Sequence, residues 1–310
     1  MSELKVILLC SSRFAIPAMQ ELVFFKQLAI VAVPRNRPEM VENVRSVLTG
    51  LDIPILELDK ASFAKELTRA IQKYKVTVGI MMTFGYIIPA SVFNLPEKGF
   101  YNVHPGPLPA YRGADPIFRQ IKNKEPNAGV TIHKLDEGLD TGPVVLRQMM
   151  KLEKTDTYGI LTSKLAQLAA GMVRVLLKLA TFDLSIPSKP QDESKAVYYK
   201  KQAAKDITIN WQQMDASDII ALINACNPWN KGAVTKFNNR IIRMVEAEKL
   251  KDVTSNNYPA GTVTGMGERS IDVSTLNGCI IKIHIIYVDE GFLNAASLVQ
   301  VGVTPGCRFE

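Results

Sequence analysis

The sequence lacks the signatures of several common chemistries. Its four cysteines lie far apart with no C-x-x-C pair, which argues against a zinc site, a dithiol redox centre and a disulfide framework. With three histidines in the chain, we expect no metal site. Neither a G-x-S-x-G elbow nor a phosphate-binding G-x-x-x-x-G-K-[ST] loop occurs. Covalent catalysis by a nucleophilic side chain is therefore not indicated.

Long apolar runs and strongly one-sided charge are also missing. No uninterrupted stretch approaches about 18 apolar residues, and the apolar run near the start has no cleavage site, so we expect a soluble cytoplasmic protein without a membrane segment. The formal net charge is +7, from 37 Lys and Arg against 30 Asp and Glu. Such an excess suits RNA or a nucleotide as partner, but many soluble proteins carry as much.

The 310 residues are enough for two globular domains. In the first half, short apolar runs alternate with helical stretches, which predicts a doubly wound, mostly parallel Rossmann-like α/β sheet with its site beyond the carboxyl ends of the strands. Brief alternating segments with glycine turns later in the chain predict a smaller OB-like β-barrel. We expect a first domain at 1–188, a polar, proline-bearing linker at 189–205 and a C-terminal OB-like domain at 206–310.

A histidine and an asparagine stand at the end of one predicted strand. Asn102 and His104 are two residues apart, so both side chains project from one face at the edge where α/β sites form. Pro105, Pro107 and Pro109 then fix the backbone of a rigid loop. The alternative is that Asn102 caps a turn and His104 is an ordinary half-buried histidine.

A glycine-bearing acidic loop, Leu-Asp-Glu-Gly-Leu-Asp-Thr-Gly, occupies residues 135–142. Its three carboxylates can form a solvated turn, but apolar strands flank the loop, so one of them could face a cleft. There it would raise the pKa of a nearby histidine, orient the ring or accept a proton itself. Asn, His and Asp are together the groups that stabilise an oxyanion on a carbonyl carbon and deprotonate an attacking amine. The composition of these motifs thus favours acyl-type transfer by positioning and electrostatics.

Both motifs resemble the formyltransferase family that takes its one-carbon unit from 10-formyltetrahydrofolate. The family's Asn-x-His and the following Ser-Leu-Leu-Pro-x-x-Arg-Gly loop are similar to Asn102–Gly113, and its Asp-x-Gly-x-Asp-x-Gly loop is similar to Asp136–Gly142. The likeness extends to Phe84–Pro89, Asn227–Trp229 and Val303–Phe309, which is nearly the whole chain. It implies a catalytic first domain that uses 10-formyltetrahydrofolate as cosubstrate and no metal.

The resemblance also implies roles for individual residues. Asn102 would hydrogen-bond the formyl oxygen and, with His104, stabilise the oxyanion, while Asp140 would tune His104 and help remove the amine proton. The residues implied at the folate are Met82, Phe84, Ile87, Ile88, Leu135, Asp136 and Gly138. The residues implied at the acceptor are Phe14, Arg35, Arg37, Pro107, Leu108 and Arg112. For Met82 and Ile88, packing in the core is an equal alternative.

Two places depart from the family pattern. Gly106 stands where the family motif has serine, which removes a hydroxyl that could contact substrate. Members that act on transfer RNA carry a long basic insertion after the second strand, whereas this chain has only Pro34–Pro38 there. Arg35, Arg37 and Arg45 are what is left of a basic patch at this point.

Three functions are therefore weighed. The first is formylation of the amine of initiator methionyl-tRNA, which the two-domain plan, the barrel and the positive charge favour. The second is formylation of a nucleotide-linked amino sugar, because enzymes of that kind share the core and usually lack the insertion. The third is a non-catalytic RNA-binding protein, against which the intact Asn, His and Asp argue. We expect no membrane partner, and the sequence leaves the oligomeric state open. The lysines that favour transfer RNA are Lys189, Lys195, Lys200 and Lys201.

Overall fold

The computed structural model describes residues 4–182, 186–250 and 257–310 and divides the chain into two compact units. Residues 189–199 of the predicted linker belong to the first unit, and residues 200–205 belong to the second. The first unit consists of Met1–Pro116, Ala128–Met150 and Thr162–Tyr199. The second unit consists of Ile117–Asn127, Lys151–Leu161 and Lys200–Glu310.

A seven-stranded sheet forms the centre of the first unit, with the strand order β3-β2-β1-β4-β5-β7-β8. Neighbouring strands are parallel from β3 to β5, and β7 pairs antiparallel with β5. A separate short pair joins β6 to β9 in parallel. The predicted mostly parallel α/β fold class is thus confirmed. The strands are β1 (Val6–Cys10), β2 (Leu28–Pro34), β3 (Ile55–Leu58), β4 (Val78–Met82), β5 (Phe100–His104), β6 (Arg112–Gly113), β7 (Asn127–Lys134), β8 (Val144–Lys151) and β9 (Tyr198–Tyr199).

The central strand β1 shows why this sequence forms a parallel sheet. All five of its residues, Val-Ile-Leu-Leu-Cys, are completely buried, as expected of a strand covered by helices on both faces. Ile7 and Leu9 on one side of β1 pack with Ile30 of β2 in a single apolar cluster. Strand β5 is likewise buried at every position, so its polar residues Asn102 and His104 lie inside the protein.

Seven α-helices lie in the described residues. Three of them, α1, α2 and α5, have a proline in the first turn, where its missing N–H is not needed. The helix α6 is long and apolar enough to cross a membrane, but half of its most apolar stretch is buried inside the protein, and the core helix of a soluble protein passes the same test. The helices are α1 (Ile16–Phe24), α2 (Pro38–Val47), α3 (Phe63–Lys73), α4 (Ala90–Phe93), α5 (Pro116–Lys122), α6 (Tyr158–Thr181) and α7 (Ala216–Cys226).

The second unit is built on a six-stranded antiparallel sheet, in agreement with the predicted smaller, OB-like β domain. Its order is β10-β11-β14-β13-β12, and β15 pairs with β14. Trp211 is buried beside this sheet, where it stacks on Phe309 at 5.9 Å and donates its indole N–H to Thr235 Oγ1 at 3.0 Å. The strands are β10 (Ala233–Phe237), β11 (Arg240–Lys249), β12 (Val263–Met266), β13 (Ile271–Ser274), β14 (Ile280–Val288) and β15 (Gly291–Asn294).

We expect Leu9→Ala to lower the free energy of unfolding of the first unit by about 2 to 5 kcal/mol, since it leaves a cavity in a fully buried strand. Phe24→Ala is the control, because Phe24 is 78% exposed and its loss should change that energy by no more than about 0.5 kcal/mol. Denaturant unfolding measures both variants. Equal effects would mean that β1 does not lie at the centre of the core.

Candidate active site

One strand and one loop bring Asn102, His104 and Asp140 together in the first unit. His104 is the last residue of β5 and Asn102 lies two residues before it, and Asp140 lies in the loop between β7 and β8. Strand β7 pairs with β5 so that His133 lies opposite Asn102. The side chains are nearly enclosed, with Asn102 7%, His104 4% and Asp140 8% exposed. The predicted grouping of these three residues is therefore present in the structure, while their roles stay predictions.

Asp140 is held from three sides. Its Oδ1 accepts a hydrogen bond from Asn102 Nδ2 at 3.1 Å, and its Oδ2 accepts one from the backbone N–H of Gly113 at 2.9 Å. The same Oδ2 lies 3.6 Å from His104 Nδ1. The backbone of Asp140 has a φ of 57°, a left-handed conformation that aspartate tolerates better than most residues. The carboxylate is thus fixed at the centre of the group.

The tautomer of His104 follows from its partners. Its Nε2 lies 2.6 Å from the carbonyl oxygen of Tyr111. A carbonyl can only accept, so Nε2 donates and, in the neutral ring, the lone pair of Nδ1 faces Asp140. A proton taken up at Nδ1 would therefore meet a carboxylate.

His133 is a member of this site that the sequence reasoning missed. Its Nε2 accepts a hydrogen bond from Asn102 Nδ2 at 3.2 Å, and its Nδ1 donates to the carbonyl of Lys134 at 2.9 Å. Its Nε2 also lies 3.6 Å from Asp140 Oδ1. The only sequence signal would have been the antiparallel pairing of β5 with β7, which places His133 beside Asn102. That pairing is non-local and cannot be inferred from residue spacing.

Burial and charge set the protonation states of His104 and Asp140. Burial lowers the pKa of His104 below its ordinary 6.5, and the nearby carboxylate of Asp140 only partly opposes this shift. Burial raises the pKa of Asp140, but the rings of His104 and His133 close to the carboxylate and the hydrogen bond from the Gly113 N–H together lower it to about 2. At neutral pH the pair is thus an anionic carboxylate beside a neutral imidazole. Such a pair can accept one proton.

The acidic loop is shaped by its glycines and by Asp136. Asp136 Oδ1 accepts hydrogen bonds from the Gly138 N–H at 3.2 Å and from Thr141 Oγ1 at 2.7 Å. A Cβ at Gly138 would lie 2.0 Å from Thr141 Oγ1, and one at Gly142 would lie 1.8 Å from the Lys134 carbonyl oxygen. Asp136 and Gly138, predicted at the folate, therefore organise the turn that presents the next carboxylate.

The apolar residues predicted at the folate fall into two groups. Met82 and Ile88 are buried, and Ile88 belongs to the apolar core cluster, against which Phe84 and Leu135 pack half-buried. The positions of Met82 and Ile88 therefore agree with packing in the core, which is the alternative to a folate contact. Ile87, in contrast, is 75% exposed.

Two loops of the first unit expose apolar side chains. Ile87 presents an exposed apolar side chain in the loop that follows β4, and Leu139 is 53% exposed immediately before Asp140. The pterin of a folate combines such an apolar face with hydrogen-bonding edges, for which a loop supplies backbone N–H and C=O groups. The residues present therefore fit this cosubstrate.

Arg112, predicted at the acceptor, has no donor left for a substrate. Its side chain is completely buried, and all five of its N–H groups are engaged. Gln191 Oε1 accepts from Nε at 3.1 Å and from one terminal nitrogen at 2.9 Å. The carboxylate of Glu193 accepts two bonds at 2.6 and 2.8 Å, and the hydroxyl of Tyr198 accepts another at 2.6 Å. Arg112 thus acts within the protein, and its assignment to the acceptor finds no support in this arrangement.

The other residues predicted at the acceptor differ in accessibility. Phe14 and Leu108 are buried, so a contact with an acceptor would require them to leave the core, and Pro107 is half-buried. Arg35 and Arg37 are exposed, and Arg35 forms an ion pair of 2.5 Å with the side chain of Asp59.

The glycine that departs from the family motif lies under His104. A Cβ at Gly106 would stand 2.9 Å from the Pro116 Cβ, 3.0 Å from His104 Nε2 and 3.1 Å from the Tyr111 Cβ. The missing side chain therefore leaves space for the close bond between His104 and the Tyr111 carbonyl. In the part of the chain that the structure describes, no group of three or more His, Cys, Asp or Glu side chains could hold a metal ion.

The Asn-His-Asp site at the end of β5 offers the groups that an enzyme of group transfer needs, a donor for an oxyanion and a pair that accepts a proton. Two family models match the chain, formyl transferase over residues 36–176 and formyl transferase, C-terminal domain, over residues 201–294. The chain belongs to the formyl transferase family. It is a folate-dependent enzyme that transfers a formyl group from formyltetrahydrofolate.

One relative supports this assignment by sequence, and two solved structures share the fold. The chain is 32% identical over 267 residues to a methionyl-tRNA formyltransferase of Orientia tsutsugamushi, with 84% of each chain covered. Its fold resembles that of HypX from Aquifex aeolicus, with a TM-score of 0.69 at 18% identity. The superposition covers 98% of this chain and 49% of the HypX chain. The fold also resembles an N-formyltransferase of Helicobacter canadensis, in complex with folinic acid and dTDP-3-aminofucose, with a TM-score of 0.66 at 15% identity, where it covers 90% of this chain and 98% of that one.

We expect the His104 ring to take up its proton below pH 6.5, and Asp140→Asn to lower that pKa further, because the carboxylate favours the protonated ring. Glu137→Gln is the control, since Glu137 is exposed in the same loop. Nuclear magnetic resonance titration of the imidazole nitrogens measures the three proteins. An unchanged or raised pKa of His104 in Asp140→Asn would contradict the electrostatic coupling of the two side chains.

Proposed function

We propose that the protein transfers the formyl group of 10-formyltetrahydrofolate to the α-amine of initiator methionyl-tRNA in the cytoplasm. The observation that carries the proposal is the convergence of Asn102, His104 and Asp140 at the end of β5. The acceptor is supported by the 84% of the chain that aligns with a methionyl-tRNA formyltransferase. The second unit matches the family's C-terminal domain model over residues 201–294, which fits the two-domain plan from which the sequence favours this acceptor.

The proton of the attacking amine goes to the pair of His104 and Asp140. As the amine nitrogen bonds to the formyl carbon, it becomes positively charged and must lose a proton. The neutral ring of His104 accepts this proton at Nδ1, and Asp140, 3.6 Å away, stabilises the resulting cation. The proton then passes to N10 of the folate as the bond from the formyl carbon to N10 breaks. Tetrahydrofolate and the formamide of the acceptor are the products.

The charge that develops on the formyl oxygen is stabilised by Asn102. Its Nδ2 is aimed at two acceptors within the protein, Asp140 Oδ1 and His133 Nε2. The formyl oxygen therefore has to replace one of these acceptors. Preorganised donors of this kind lower the energy of an oxyanion more than that of the carbonyl from which it forms.

A second acceptor, a nucleotide-linked amino sugar, is favoured by one observation. Strand β2 ends at Pro34 and α2 begins at Pro38, so the basic insertion of the transfer-RNA enzymes is reduced to residues 35–37. Arg35 in this short connection is paired with Asp59. An amino sugar linked to a nucleoside diphosphate needs a smaller basic surface than an acceptor stem, and the Helicobacter canadensis enzyme with a similar fold was solved with such a compound.

The two acceptors can be separated in one assay. We expect the purified protein to release tetrahydrofolate from 10-formyltetrahydrofolate when charged initiator methionyl-tRNA is added, and not with dTDP-linked amino sugars. Uncharged transfer RNA is the control, because it lacks the amine. Release with the amino sugar alone would establish the second acceptor, and no release with either would overturn both.

We expect His104→Ala and Asp140→Asn each to lower kcat about 10²- to 10⁴-fold, the range that acid–base groups typically contribute. His284→Ala serves as the matched control, since His284 lies on β14 in the second unit and pairs with Glu248 at 3.1 Å. Steady-state kinetics with the accepted amine measures these rates. A loss smaller than about tenfold in both site variants would refute the assigned roles.

A further inference from the structure

The segment 189–199, which the sequence analysis treats as part of a linker, contacts the acidic loop of the site. We refer to residues 189–199 as the strap. At its start Lys189 and Val144 exchange two backbone hydrogen bonds of 2.8 Å, next to the end of the acidic loop. At its end Tyr199 pairs with Gly113 as the short strands β9 and β6. Backbone contacts thus join the two ends of the strap to Val144, which follows the acidic loop, and to Gly113, which contacts Asp140.

One side chain of the strap, Gln191, holds the backbone around Asp140. Its Nε2 donates two hydrogen bonds, to the carbonyl oxygen of Asp140 at 2.8 Å and to that of Gly142 at 2.7 Å. Its Oε1 accepts the two bonds from Arg112. Because every polar atom of the carboxamide has a partner, its orientation is fixed. The amide cannot turn over without placing its NH₂ against the guanidinium.

Arg112 is in turn locked by the strap. Its two terminal nitrogens form the bidentate pair with Glu193, and its guanidinium carbon lies 5.2 Å from the ring centre of Tyr198. Arginine forks held in this way are among the most geometrically specific ion pairs. The guanidinium therefore acts as a rigid base for Gln191.

The strap also contacts the short strand β6, whose residue Gly113 donates a hydrogen bond to the Asp140 carboxylate. The backbone N–H of Arg112 donates to the Val197 carbonyl at 3.0 Å, and the backbone N–H of Ala114 donates to the Tyr199 carbonyl at 2.9 Å. Between them stands Gly113, whose own N–H binds the Asp140 carboxylate. Strap contacts thus reach Asp140 through its carbonyl and through its carboxylate.

We propose that Gln191 is a positioning residue for formyl transfer, which holds Asp140 in its left-handed conformation so that the carboxylate stays against His104 and Asn102. No contact between Gln191 and the reacting groups is needed for this role. The inference rests on the proposed function of Asp140, because Gln191 acts only through that residue. Small displacements of a catalytic group can cost about 10²-fold in rate.

Two substitutions of Gln191 test the role. Gln191→Met removes both donors without adding a charge, and we expect it to lower kcat about 10- to 100-fold while KM for each substrate changes less than about threefold. Gln191→Glu also removes the donors but keeps an acceptor for the Arg112 guanidinium. It therefore tests the same role if Gln191→Met fails to fold. Asp192→Asn is the control, because Asp192 is exposed on the same strap and contacts Ser194 and Lys195.

The pH profile distinguishes positioning from a loss of folded protein. The titratable groups that face His104 are Asp140 and His133. If Asp140 moves away in Gln191→Met, the protonated ring loses its nearest anion and the acid limb of kcat shifts to lower pH. A structural effect alone would reduce the rate equally at every pH and leave the limb in place.

A double-mutant cycle with Asp140→Asn completes the experiment. In that background we expect either Gln191 variant to change kcat less than about threefold, because the group that it positions is already disabled. Full activity of both Gln191 variants would overturn the inference. So would an equal loss of kcat in the wild-type and Asp140→Asn backgrounds. A wild-type protein that is active but insensitive to Asp140→Asn would instead refute the proposed role of Asp140.

Discussion

A buried negative charge on Asp140 is the constraint on which the site depends. Taking a carboxylate out of water is costly unless hydrogen bonds and nearby positive or polarisable groups replace its hydration. Here the Gly113 N–H and the Asn102 amide supply the hydrogen bonds, and the rings of His104 and His133 each lie 3.6 Å from a carboxylate oxygen. Each of these groups is held by an interaction of its own, so the position of one carboxylate fixes the orientation of the whole site.

The fold provides those contacts from elements that are distant in sequence. Strand β5 presents Asn102 and His104 at the end where ligands of open α/β sheets bind. The antiparallel strand β7 adds His133 from the neighbouring edge and leads directly into the acidic loop. Gln191, from a segment about 50 residues further on, closes the arrangement. The geometry of the site is thus a product of the first unit as a whole and not of one motif.

The sequence predicts the local parts of this structure well. The alternation of short apolar runs with helical stretches predicts the parallel sheet, and the predicted strand that carries Asn102 and His104 is β5. The long-range contacts are not predictable in that way. Arg112 carries a charge and follows a proline-rich loop, which suggests a substrate contact, but its partners lie 79 to 86 residues away in the strap. His133 is missed for the same reason, since only strand pairing brings it to Asn102.

The central claim is that Asp140 is ionised inside the protein because its surroundings replace water. Carbon-13 resonance titration of the Asp140 carboxyl measures this directly. The contacts described here place its pKa at about 2, so the resonance should keep its ionised position from neutral pH down to well below 3.8, the ordinary value for aspartate. A carboxyl that titrates at or above 3.8 would contradict the account.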